Sequence, residues 1–139
     1  MNVEIKTIPY AQQRYQTVGD FWIDKDGSTH FRINDMGSED YAFLVAIHEQ
    51  VEEYLTRRRG LAEPEIMAFD LMWEIEREKG AHGEDEEPGH DPRAPYHREH
   101  VLAEVVERLL ANQMGISWPE YEKAVNKSCE GAHPNDTKS

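Results

Sequence analysis

The sequence predicts an α+β fold: an N-terminal β-hairpin followed by three main α-helices and a short C-terminal helix. Three observations carry this expectation. Two β-prone runs flank an Asp-Gly turn between residues 15 and 34. Three apolar patterns of helical period follow between residues 39 and 114. The chain has 139 residues, enough for one domain and too few for two independent cores.

In the hairpin, Val18, Phe21 and Ile23 face Phe31 and Ile33 across Asp24-Lys25-Asp26-Gly27, whose Asp-Gly step favours a tight turn. A second turn at residues 35–38 ends in Ser38, a residue that caps helices. The first helix is expected over residues 39–59, with Leu44, Ile47, Val51 and Leu55 as its stripe and Gly60 as its stop. Arg57, Arg58 and Arg59 sit in its last turn, where cations suit the negative end of the helix dipole.

Pro64 suits the first turn of a second helix over residues 64–79, with Ile66, Phe69, Met72 and Trp73 facing inward. Residues 80–95 hold three glycines, three prolines and an acidic run at 84–87, and read as an exposed loop or a mobile lid. A third helix is expected from Pro95 to Met114, with Val101, Leu102, Val105, Leu109 and Leu110 as its core face. Ser117-Trp118-Pro119-Glu120 has capping-box spacing for a last helix ending near Asn126. The single globular domain is therefore expected over residues 1–126, with 127–139 a disordered tail.

Charge narrows the function classes. Fifteen basic residues against 28 acidic ones give a formal net charge of −13. Such a surface repels phosphate backbones and anionic membranes, so no nucleic-acid or membrane partner is expected, and a basic peptide or protein is favoured. No stretch approaches the ~18 apolar residues of a membrane span. The opening MNVEIKTIPY holds no apolar signal region. Cys129, the one cysteine, builds neither a disulfide within the chain nor a thiolate zinc knuckle. The expected location is the cytoplasm, the host's if the chain is phage-encoded.

The chemistry-bearing residues lie on the three helices. In His48-Glu49-Gln50-Val51-Glu52, the imidazole of His48 and the carboxylate of Glu52 are four residues apart and stack on one edge of the first helix. Such a pair suits Zn²⁺, and also Mn²⁺ or Fe²⁺. Asp70 and Glu74 repeat the i, i+4 spacing on the second helix. At the start of the third, His97, His100 and Glu104 share a sector, with His97 nearest the apolar edge and so ranked first of the two histidines as a ligand. The expected metal ligands are His48, Glu52, His97, His100 and Asp70. His82 and His90 read as solvated loop residues.

Residues 18–60 resemble the active helix and preceding hairpin of zincin metallopeptidases, whose motif is HExxH. The resemblance implies a metal-dependent hydrolase in which His48 and Glu52 hold the metal and Glu49 is the general base. The chain departs from the family where Glu52 replaces the second histidine. The chain as a whole is similar to short proteins of bacteriophage genomes. It also resembles MazG-like pyrophosphohydrolases in having acidic pairs on adjacent helices, Glu49 and Glu52 with Asp70 and Glu74. That resemblance implies carboxylate-held Mg²⁺ and a nucleoside triphosphate substrate. It departs from the family's ExxE…ExxD spacing at Asp70-x-x-x-Glu74. A third reading needs no special geometry: a non-enzymatic acidic protein that binds or inhibits a basic host partner.

Overall fold

The computed structural model describes residues 1–130. It is an α+β fold with a three-stranded sheet at the N-terminus and four helices after it. The strands are β1 (Val3–Ile8), β2 (Gly19–Ile23) and β3 (Thr29–Asn34). The helices are α1 (Glu39–Arg58), α2 (Glu63–Glu78), α3 (His97–Gln113) and α4 (Trp118–Ser128). No helix of the described residues is long and apolar enough to cross a membrane.

The chain divides into two compact units, one of Met1–Glu49 with the chain from Val106 on, the other of Gln50–Val105. Helices α1 and α3 run through the division.

In the first unit β3 is the central strand. It pairs antiparallel with β2, as the hairpin expectation requires, and parallel with β1, which that expectation did not include. Edge position explains why β1 is hard to read: its Val3 and Ile5 stay exposed, so its alternation marks no buried face. On β3 the alternation is clear, with Thr29, Phe31 and Ile33 buried. The hairpin turn is fixed by Asp24, whose Oδ1 accepts from the backbone N–H of Asp26 at 2.8 Å and of Ser28 at 3.1 Å. Gly27 takes φ +83° there, which a side chain would resist.

Ile33, Leu44, Val45 and Tyr121 centre this unit's core, with Ala42, Ala46 and Ala111 allowing close approach. Ser38 caps α1 by accepting from the Tyr41 N–H at 3.2 Å. Asn34, fully buried, joins three segments: its Oδ1 accepts from Gln13 Nε2 at 2.9 Å, and its Nδ2 donates to Ser128 Oγ at 3.1 Å. Cys129 is half-buried beside Asn34 rather than in a polar tail, and α4 runs two residues past Asn126. Residues 131–139, the rest of the expected tail, lie outside the described residues.

The second unit has a small aromatic core of Phe69, Trp73, Ala94 and Tyr96, with Leu61 and Ile66 against it. Residues 80–95 are tied down rather than hanging free. Arg93 bonds Glu76 at 2.7 Å and Asp91 at 2.8 Å, and His82 stacks on Trp73 with ring centres 4.3 Å apart. The Arg93 guanidinium beside them holds both carboxyls down at about 2.

The orientation of α3 corrects the sequence reading. Val101, Leu102, Val105 and Leu109 are exposed, whereas Glu99, His100, Ala103, Glu107 and Ala111 are buried. Helix α1 shows the same preference past its midpoint, where Glu52, Glu53 and Thr56 are more deeply buried than Val51 and Leu55. Met72 on α2 is likewise exposed, while Trp73 is in the core as expected.

The Asn34 junction sets a stability expectation. Asn34→Ala removes one buried and one part-buried hydrogen bond and should cost about 2–3 kcal/mol, against about 1 kcal/mol for Ser128→Ala. Equilibrium urea unfolding of the two variants checks this order.

Candidate metal centre

In the first unit His48 Nδ1 is bonded to Glu107 on α3, and the Tyr121 hydroxyl of α4 donates to the other Glu107 oxygen at 2.6 Å. The three side chains form a buried polar chain across α1, α3 and α4, in which the Glu107 carboxylate has a partner at each oxygen. Glu49 lies over β2, its Cγ 2.9 Å from where a Cβ on Gly19 would be. Burial pushes the Tyr15 hydroxyl up, and the nearby Asp20 and Glu49 charges push it further. Arg14 balances Asp20 through a two-pronged contact at 2.6 and 2.9 Å.

The second unit holds a different cluster. His100 lies on the buried face of α3, and its Nδ1 meets Glu52 Oε2 on α1 at 2.9 Å. Its Nε2 faces Glu87 Oε2 at 3.2 Å. Glu87 Oε2 also lies 4.0 Å from His90 Nδ1, while His90 Nε2 is bonded to Glu104. One ligand atom from each of Glu87, His90 and His100 lies within 4.8 Å of the others. Each histidine therefore has one ring nitrogen against a carboxylate outside the trio and the other turned towards Glu87.

The local sequence explains this placement. Glu87-Pro88-Gly89-His90 makes a single 3-10 turn, so residues 87 and 90 point to one side. Gly89 passes directly over the His100 ring: a Cβ there would fall 2.4 Å from the ring Cγ and 2.5 Å from Nδ1. Its carbonyl faces His97 Nδ1 at 2.9 Å, which pins the turn to the start of α3. His100 in turn sits beside Tyr96, ring centres 6.3 Å apart.

Tyr96 carries the cluster to α2 by donating its hydroxyl to Asp70 Oδ1. Burial raises the Asp70 carboxyl to about 6 against the lowering effect of that hydrogen bond, and the charges of Glu52 and Glu74 raise it further. Glu74 itself is exposed and pairs with Arg77 at 3.4 Å.

Of the residues singled out from sequence, Glu52 and His100 meet directly, and Asp70 joins them electrostatically in the same unit. His97 supports the loop through a backbone carbonyl, so His100, ranked below it, is the residue at the centre. His48 and Glu49 are engaged in the first unit, by Glu107 and by β2. Sequence reasoning passed over Glu87 and His90 as loop residues. Their one signal was the Glu-x-x-His spacing just ahead of a histidine-rich helix start. His82 was also read as solvated, yet it is stacked on Trp73.

Two outcomes are expected. Gly89→Ala forces its new Cβ into the His100 ring and should destabilise by about 1–3 kcal/mol, while shifting the His100 ring signals in NMR spectra. Asp70→Asn should act through pH. The native carboxyl is raised above its ordinary 3.8 to about 6, so its contribution to stability is fully present below 3.8 and is lost as pH rises through 6. In metal-free protein Asp70→Asn should match wild type near pH 4 and exceed it by about 1–2 kcal/mol at pH 8, read by urea unfolding.

Comparison of the chain with protein-family models, with curated proteins and with solved structures finds no match.

Proposed function

We propose that the protein binds a divalent transition-metal ion through Glu87, His90 and His100, with Zn²⁺ the first expected and Fe²⁺ or Mn²⁺ the alternatives. The observation that carries this is the paired arrangement of the two imidazoles. A metal-binding histidine characteristically donates its second ring N–H to a carboxylate, which fixes the tautomer and turns the lone pair of the other nitrogen to the metal. His100 has Glu52 in that position and His90 has Glu104.

The donor set also fits. Two imidazoles and one carboxylate suit Zn²⁺, and they suit Fe²⁺ where positions stay open. Ligand atoms around a tetrahedral Zn²⁺ lie roughly 3.3 Å apart, from bonds of about 2.0–2.2 Å. The present spread of up to 4.8 Å closes to that by rotation of Glu87 and His90, both about half exposed. Three protein ligands leave a coordination position for water or substrate, the pattern of catalytic rather than structural sites. Hydrolysis is the chemistry such a Lewis-acid centre supplies. Asp70, whose carboxyl is raised to about 6 and which accepts from the Tyr96 hydroxyl, would be the group to exchange a proton in its neighbourhood. The acidic surface leaves a basic peptide or protein as the favoured macromolecular partner, in the cytoplasm.

The test is elemental analysis by mass spectrometry on protein purified without chelator. About one equivalent of transition metal is expected in wild type and in His48→Ala, and less than a tenth of that in His100→Ala and His90→Ala. Retention of metal in His100→Ala, or no metal in any sample after Zn²⁺, Mn²⁺ and Fe²⁺ are offered, would overturn the proposal.

A further inference from the structure

Three arginines gather in a shallow cavity of the second unit, against the strongly acidic balance of the chain. Leu55, Arg58 and Arg59 from the end of α1, with Arg98, Glu99 and Leu102 from α3, line a space of about 290 Å³. The lining sets one carboxylate against three guanidinium groups, and Glu65 acts on Arg59 from outside it.

The arginines are not equivalent. Arg59 is committed: it holds Glu99 through two nitrogens and also donates to the Pro95 carbonyl. Arg98 shares the same Glu99 through its Nε at 3.2 Å, and its outer nitrogens lie in a side chain 77% exposed. The Arg58 guanidinium has no hydrogen bond or ion pair among the described residues. The end of α1 is capped by its own backbone. The carbonyls of Thr56 and Arg57 are taken by the N–H groups of Leu61 and Gly60. The side chains of Arg58 and Arg98, from two helices, thus line one cavity.

We infer that this cavity is a binding site for a small phosphate monoester, its phosphate held by Arg58 and Arg98 and its apolar body laid on Leu55 and Leu102. The charge of the lining matches a phosphate dianion. Two forks approaching from different helices suit a tetrahedral group with three free oxygens better than a carboxylate with two. The size sets the rest. Ligand pockets run from roughly 300 to 1,000 Å³, so this one takes a phosphate and a compact apolar group, not a dinucleotide. The Arg59–Glu99 pair leaves Arg58 and Arg98 as the guanidinium groups for the ligand.

The experiment uses the full chain treated with EDTA, so that its outcome is independent of the metal centre. Phenyl phosphate, inorganic phosphate and benzoate are titrated into it at about 150 mM salt, with calorimetry for affinity and amide NMR shifts for location. Phenyl phosphate should bind saturably, with shifts centred on Leu55 and Leu102, and more tightly than either other ligand. Arg58→Ala and the milder Arg58→Gln should each weaken it by about tenfold. Leu102→Ala should weaken phenyl phosphate and leave inorganic phosphate unchanged. No saturable binding, equal affinity in a folded Arg58 variant, or benzoate binding as tightly as phenyl phosphate would each overturn the inference.

Discussion

The constraint on which the rest of this structure depends is that a carboxylate withdrawn from water must be given a partner. Leaving one unpaired costs several kcal/mol, and a structure avoids that by neutralising the group or supplying it with donors. Helices α1 and α3 bury carboxylates repeatedly: Glu52 and Glu53 on one, Glu99 and Glu107 on the other. Each is answered. Glu53 takes Arg57 one turn on, Glu99 takes Arg59, Glu107 takes His48 and Tyr121, and Glu52 takes His100. Packing follows from these pairings, because a helix that turns its charged residues inward must turn its valines and leucines out.

That inversion decides how much of the molecule could be read from sequence. Periodicity finds helices well, and α1, α2 and α3 appear within two residues of their expected ends. It assigns the inward face by apolarity, however, and α3 breaks that assumption. Val101, Val105 and Leu109 have the right spacing for a core stripe, but so do Glu99, His100, Ala103 and Glu107, displaced around the helix. The second set wins because its polar members can all be satisfied together. Nothing within α3 announces this; the partners lie on α1, on α4 and in the loop after α2. Strand β1 escaped for a related reason, since it gains its place only by pairing with a segment some 26 residues away.

The candidate site was legible in its helical half only. His48, Glu52, Asp70 and His100 stood out because spacings of three and four are meaningful on a helix. Glu87 and His90 did not, because a glycine- and proline-rich loop has no period from which direction can be inferred. Gly89 shows what fixed them. The backbone passes so close to the His100 ring that only a residue without a side chain fits, and this brings residues 87 and 90 to the same imidazole. Loop composition that signals flexibility in isolation can also signal close approach to something rigid.

The HExxE sequence gains a different meaning in this setting. Four-residue spacing on a helix guarantees that His48 and Glu52 stack, and no more than that; each side chain then takes its partners from its surroundings. His48 Nδ1 is engaged by Glu107, which fixes that ring by the same carboxylate–imidazole logic seen at His100. Glu52 Oε2 meets Nδ1 of His100 at 2.9 Å. Where a zincin helix would supply two imidazoles, this helix supplies one imidazole already held and one carboxylate that holds another. The His100 ring lies between two carboxylates, Glu52 at Nδ1 and Glu87 at Nε2, and a histidine at position 52 would bring a second ring where a negative charge stands.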